Sequence, residues 1–74
     1  MTADQLSILD TATIEKLQES PLKVNLMELG FLPGKKITLK HIAPANGPMA
    51  FRLDETLLAL RKEEAAVIQV KLIQ

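Results

Sequence analysis

The sequence predicts a mainly β fold: a small, partly closed β-barrel of about five short strands with one short α-helix inserted after the first strand. Three observations point to it. Apolar and polar residues alternate over short windows through most of the chain, the period of half-buried strands. Proline and glycine cut those windows into strand-length pieces. With 74 residues there is room for one domain with a modest core, since a domain near this size buries only roughly 60% of the surface its unfolded chain exposes. Residues 1–74 therefore read as a single domain, with residues 1–5 expected to be mobile. Partial closure limits the exposed sheet edges.

Taken in order, Thr11-Ala12-Thr13-Ile14-Glu15-Lys16-Leu17 is β-branched enough for a first strand. Ser20-Pro21 reads as an N-cap serine followed by proline at the first helical position, so a helix is expected from Pro21. Leu22, Leu26 and Leu29, with Met27 beside them, recur at helical spacing and predict one buried face, while Lys23, Asn25 and Glu28 fall on the opposite arc. Gly30 suits a left-handed C-terminal cap from which Phe31 packs back on Leu26. Pro33-Gly34 fits the central positions of a type II turn.

Lys36–Ile42 alternates, with Ile37 and Leu39 on one face and Thr38 and Lys40 on the other, as expected of a strand ended by Pro44. Ala43-Pro44-Ala45-Asn46-Gly47-Pro48 is a loop by composition, and Met49, Phe51 and Leu53 alternate with Ala50, Arg52 and Asp54 to give a third strand. After a turn at Asp54-Glu55-Thr56, Leu57-Leu58-Ala59-Leu60 reads as a buried strand. Arg61 to Ala66 suits one helical turn with Glu63 and Glu64 near its positive end, and Ile68, Val70 and Leu72 share one face of a closing strand.

Composition narrows the function classes. Nine basic and nine acidic residues cancel, which removes the long-range positive field that supplies most nucleic-acid affinity, so nucleic acid is not an expected partner. The absence of cysteine excludes a disulfide framework and a thiolate metal site, and makes the cytoplasm the default location. The start, Met1-Thr2-Ala3-Asp4-Gln5, has neither a basic nor an apolar leader region, and no apolar run approaches the ~18 residues of a membrane span. With no cysteine nucleophile, no serine in an elbow context, no glycine-rich phosphate loop and one histidine, no triad or nucleotide-hydrolysing site can be assembled. The chain is expected to be no enzyme and to hold no cofactor.

The run Leu26-Met27-Glu28-Leu29-Gly30-Phe31-Leu32-Pro33-Gly34, then Ala43-Pro44 with Gly47-Pro48, then Leu58-Ala59-Leu60-Arg61 with Glu64-Ala65, resembles the FeoA family, ferrous iron transport protein A, over roughly residues 6 to 72. The resemblance implies an SH3-like barrel that acts as a non-catalytic accessory or regulator of FeoB, the membrane GTPase that carries Fe²⁺ into bacterial cells. It also implies a cytoplasmic location, at the inner face of the membrane through that partner. Two departures stand out. Family members usually carry glycine in the turn before the first strand and again just before the LALR strand, where this chain has Leu9-Asp10-Thr11 and Asp54-Glu55-Thr56-Leu57.

Within the resemblance, Leu26, Met27, Leu29, Gly30, Pro33, Gly34, Leu60 and Arg61 read as structural, because core stripes and caps account for such patterns. The expected partner contacts are their exposed neighbours Asn25 and Glu28 and the loop Pro44, Ala45, Asn46, Gly47 and Pro48, since loops on a rigid scaffold carry binding disproportionately. Lys35, Lys36 and Lys40 could meet an acidic patch, but a solvated strand edge is the ordinary reading. Arg61-Lys62 beside Glu63-Glu64 reads as local pairing. A ferrous site wants imidazole and carboxylate ligands on one point. His41 is the single imidazole, with Glu28 and Asp54 its nearest acidic neighbours in sequence, so it is a weak candidate and no metal site is expected. The alternative function is a stand-alone metal-responsive domain related to the C-terminal domain of iron-dependent repressors; it ranks low because no helix-turn-helix pattern precedes the barrel. With no Trp, no Tyr and only Phe31 and Phe51, the chain cannot line the aromatic groove of a proline-rich-peptide binder. A monomer is favoured.

Overall fold

A computed structural model of the chain, which describes residues 1–73, places five strands in one antiparallel sheet. They are β1 (Thr11–Leu17), β2 (Lys36–Ile42), β3 (Met49–Leu53), β4 (Thr56–Leu60) and β5 (Ile68–Leu72), in the order β4-β3-β2-β1-β5. Helix α1 (Lys23–Glu28) follows β1, and the single turn α2 (Lys62–Ala65) follows β4. The sheet curls around one core without closing, and that core holds Phe31 and Phe51 with Ile14, Leu26, Ile37, Leu39, Met49, Leu60, Ile68 and Val70, all fully buried. No polar or charged residue is buried with them among the described residues.

Two bulges set which side chains face that core. In β1 the register with β5 shifts between Ile14 and Lys16, so Lys16 stays outside and Leu17 turns inward. In β2 it shifts between Leu39 and His41, leaving His41 outside opposite Ala50 and turning Ile42 toward the core opposite Met49. A strict alternation of two would have put Lys16 and His41 inside, where an unpaired charge or imidazole is costly.

The approach to α1 is looser than expected. Ser20 is not the N-cap: its Oγ accepts the Leu22 N–H at 3.1 Å and its C=O the Lys23 N–H at 3.1 Å in a turn through Pro21 and Leu22, and the helix starts at Lys23 with Leu22 as its N-cap and no side-chain cap. The C-terminus follows the expected Schellman pattern: the Gly30 N–H donates to Met27 C=O at 3.0 Å and the Phe31 N–H to Leu26 C=O at 3.1 Å, with Gly30 at φ 109°. Leu29, assigned from periodicity to the buried face, is instead 50% exposed. The helix ends at Glu28, and the left-handed residue delivers Phe31 to the core in its place. Pro33-Gly34 makes the expected turn, with the Lys35 N–H on Leu32 C=O at 3.0 Å and Gly34 at φ 90°. That turn is pinned to β1 by Gly34 N–H to Ile14 C=O at 2.7 Å and Ile14 N–H to Lys35 C=O at 2.8 Å.

Three further expectations are corrected. Residues 1–5, expected to be mobile, pack: Ala3–Gln5 form a 3-10 turn, Ala3 and Leu6 are buried, Thr2 bridges Gln69, and the Met1 C=O accepts the Val70 N–H at 2.9 Å. The outer edge of β5 offers backbone groups that need partners, and the buried Ala3 and Leu6 anchor the chain start beside them. Leu57-Leu58-Ala59-Leu60 is a strand but not a wholly buried one: Leu60 is buried and Leu58 packs partly against the core, while Leu57, 61% exposed, and Ala59 alternate to the outer face. Lys36 and Lys40 are not on an edge, since β2 lies between β3 and β1.

The two stretches where the resemblance leads to an expectation of glycine each contain a left-handed residue that is not glycine: Leu9 has φ 74° and Asp54 φ 55°. Leu9 is 66% exposed, so its side chain gains little from burial while its backbone is strained. Leu9→Gly is expected to raise stability by a few tenths to about 1 kcal/mol in urea unfolding, the relief of strain exceeding the entropy glycine adds to the unfolded chain. Gly30→Ala is expected to lower it by about 1 kcal/mol or more, because the added Cβ would also stand 3.0 Å from Leu53 Cδ2. A neutral Gly30→Ala would reject the cap.

Candidate functional site

The 44–48 loop is held from within. The Ala43 N–H donates to Pro48 C=O at 2.9 Å, and the Gly47 N–H reaches both Ala43 C=O and Pro44 C=O at 3.2 Å. Ala45 and Asn46 both take φ 59°, the two left-handed residues that reverse the chain. Gly47 leaves no room for a side chain, since a Cβ there would lie 2.7 Å from Ala43 Cβ. Strand pairing then decides what the loop meets. The β3–β4 ladder sets Met49 opposite Leu60, so the residues before Met49 lie beside those after Leu60. Asn46, Gly47 and Pro48 with Arg61, Lys62 and Glu63 line a shallow, open depression of about 350 Å³.

Lys62 and Glu63 were not expected at the loop, and Arg61 was expected only as a structural residue. The signal was available: pairing the alternating 49, 51, 53 set with 58 and 60 across a two-residue turn already places 48 beside 61. The expected pairing within Arg61-Lys62-Glu63-Glu64 does not form either. The Glu64 carboxylate accepts the Arg61 backbone N–H at 2.7 Å, a cap on α2, and the ion pairs among the described residues are Lys23–Glu19 and Lys35–Asp54. Arg61, Lys62 and Glu63 are left exposed around the depression.

Asn25 and Glu28 are exposed on α1, as expected, but they do not join the loop. Gly30, just past the helix, packs on Leu53 at the end of β3, whereas the loop leads into the start of β3 at Met49. The other members of the motif divide: Leu26 and Leu60 are buried, Met27 is partly buried, Gly30, Pro33 and Gly34 are turn formers, and Leu29 faces solvent. At the start of α1, Lys23 Nζ sits 2.6 Å from Glu19 Oε1, and this hydrogen bond, with the lysine charge, holds the Glu19 carboxyl below its ordinary pKa.

The lysine group is also divided by the fold. Lys35 pairs with Asp54 at 3.0 Å, and Arg52 Nε donates to the Asp54 C=O at 3.0 Å, beside Lys36, Thr11 and Thr38 in a second open depression. Lys40 is the bulged residue toward the other end of β2. His41 is exposed, and among the described residues no three His, Cys, Asp or Glu side chains converge on a point where a metal could sit. The donor set does not fit a metal centre.

The model of the FeoA domain matches residues 1–72. This chain belongs to the FeoA family. The Fe(2+) transport protein A/Fe(2+) transporter FeoB fusion protein of Porphyromonas gingivalis is 34% identical over 74 residues, covering 99% of this chain but 9% of that much longer protein. Among solved structures, iron(II) transport protein A of Clostridium thermocellum superposes with a TM-score of 0.92 at 31% identity, over 99% of this chain and 46% of that one. The zinc complex of Stenotrophomonas maltophilia FeoA, described as a prokaryotic SH3 domain protein, gives 0.85 at 29%, over 96% and 89%. The expected SH3-like fold is therefore shared with FeoA proteins. A manganese-dependent transcriptional repressor gives 0.87 at 13% identity over 99% of this chain and 41% of that one, a likeness of fold alone. No helix among the described residues of this FeoA domain is long and apolar enough to cross a membrane.

Anaerobic titration with Fe²⁺ is expected to show no saturable binding at one ion per chain. Stoichiometric binding that His41→Ala abolishes would overturn this.

Proposed function

We propose that this FeoA-family chain is a non-catalytic accessory module of ferrous iron uptake that docks, in the cytoplasm, on an FeoB-type membrane GTPase. The observation that carries the proposal is the Porphyromonas gingivalis relative, in which both names belong to one polypeptide. Fusion holds two modules at high effective concentration, so a weak contact between them becomes a stable one, and association of the separate chains is the natural counterpart.

The surface is suited to docking rather than to chemistry. Its depressions are open, no polar or charged residue is buried among the described residues, and the 44–48 loop beside Arg61, Lys62 and Glu63 offers an internally hydrogen-bonded backbone flanked by both signs of charge. Such a surface recognises a complementary protein face, with charge at the rim setting orientation and on-rate.

The test is an NMR titration of ¹⁵N-labelled chain with the soluble GTPase domain of the cognate FeoB, with and without a non-hydrolysable GTP analogue. Saturable shifts are expected to group on residues 44–48 and 61–63. No movement in either nucleotide state would reject docking on the GTPase domain, and shifts confined to Asn25 and Glu28 would move the site to α1.

A further inference from the structure

β4 stands at one end of the sheet, and among the described residues no backbone hydrogen bond joins it to any element but β3. The opposite end is treated differently, since Met1 and Thr2 cover β5 and Lys71 interrupts its apolar run. Natural edge strands are guarded by charge, proline or a bulge. Thr56-Leu57-Leu58-Ala59-Leu60 has none of these, and its ladder with β3 runs from Met49–Leu60 to Leu53–Thr56 without a shift. Leu57 and Ala59 are both exposed.

The hairpin geometry says which backbone groups are open. Across a two-residue turn the closing pair, Leu53–Thr56, is hydrogen-bonded, and bonded and non-bonded pairs alternate from there. Thr56, Leu58 and Leu60 therefore bond to β3, while the N–H and C=O of Leu57 and Ala59 point away from the sheet.

We propose that β4 pairs antiparallel with β4 of a second copy of this chain, about a two-fold axis through Leu58. In this register Leu57 lies opposite Ala59 of the second copy and Ala59 opposite its Leu57, so every outward N–H and C=O of these residues finds a partner. The large side chain meets the small one on the outer face, and Leu58 meets Leu58 at the axis, a non-bonded pair in close contact. The flanking charges identify a second copy as the occupant. Glu55 precedes the strand and Arg61, still in extended backbone, follows it, so the same register brings Glu55 of one copy to Arg61 of the other at both ends. Glu55 and Arg61 have no ion-pair partner within the chain among the described residues. A parallel pairing would set acid against acid and base against base.

One short strand from each copy buries less than the ~1,600 Å² of a standard interface, so the dimer is weak, with Kd on the order of 0.1 mM. Sedimentation equilibrium of the full chain from about 10 µM to about 1 mM spans that range. The average mass is expected to rise from the 8.2 kDa of one chain toward twice that value. Ala59→Pro removes an outward N–H without touching the ladder to β3, and is expected to weaken association at least tenfold. Glu55→Lys and Arg61→Glu, both at exposed positions, are each expected to weaken it. An equimolar mixture of the two is expected to restore it, because the mixed pair faces unlike charges at both ends. A mass of one chain throughout, association that survives Ala59→Pro, or a mixture no tighter than its components would each overturn the proposal.

Discussion

The left-handed cap at Gly30 lets one short segment end a helix and seed the core at the same time. Two capping hydrogen bonds satisfy carbonyls that the six-residue α1 would otherwise leave open, and the reversal carries Phe31 to full burial. Four residues on, Gly34 and Lys35 lock onto Ile14 in β1 before β2 begins. The crossing from β1 to β2 is thereby fixed at both ends, with Phe31 buried against the sheet. A helix this short cannot persist alone; the cap and the aromatic anchor hold it.

The two bulges solve a second problem. A period of two leaves no freedom to choose which residue turns inward, and β1 and β2 each carry a basic residue where the period would bury it. One extra residue in each strand resets the phase, so Lys16 and His41 reach solvent and Leu17 and Ile42 turn toward the core. The exposure of His41, and with it the separation of the single imidazole from any cluster of carboxylates, follows from the bulge at Lys40.

Charge shows the same division between sequence and fold. The formal balance is zero, yet Lys16, Lys36, Lys40, Arg52 and Lys71 lie on strands, whereas apart from Glu15 the acids lie in helices, turns and connections. A chain neutral in sum therefore presents basic strands and acidic margins. That local arrangement, rather than net charge, is what an approaching protein surface meets.

The sequence by itself determined what short-range chemistry controls. Gly30, Pro33-Gly34 and the alternation through Lys36–Ile42 and Met49–Leu53 led to elements with the expected bounds, and the LMELGFLPG run, together with Ala43-Pro44, Gly47-Pro48 and the LALR stretch in that order, was enough to recognise the FeoA family. Of the surface proposed for docking the sequence singled out the 44–48 loop, but it set Asn25 and Glu28 beside that loop and did not bring Lys62 and Glu63 to it. Only the tertiary structure decided those neighbours, the exposure of Leu29 and Leu57, the packing of residues 1–5, and which strand is left at an edge. Each of these depends on the order in which strands pair and on the register of that pairing. Both are set by contacts between residues tens of positions apart, whereas turns, caps and alternation are satisfied within a few residues and so are written locally.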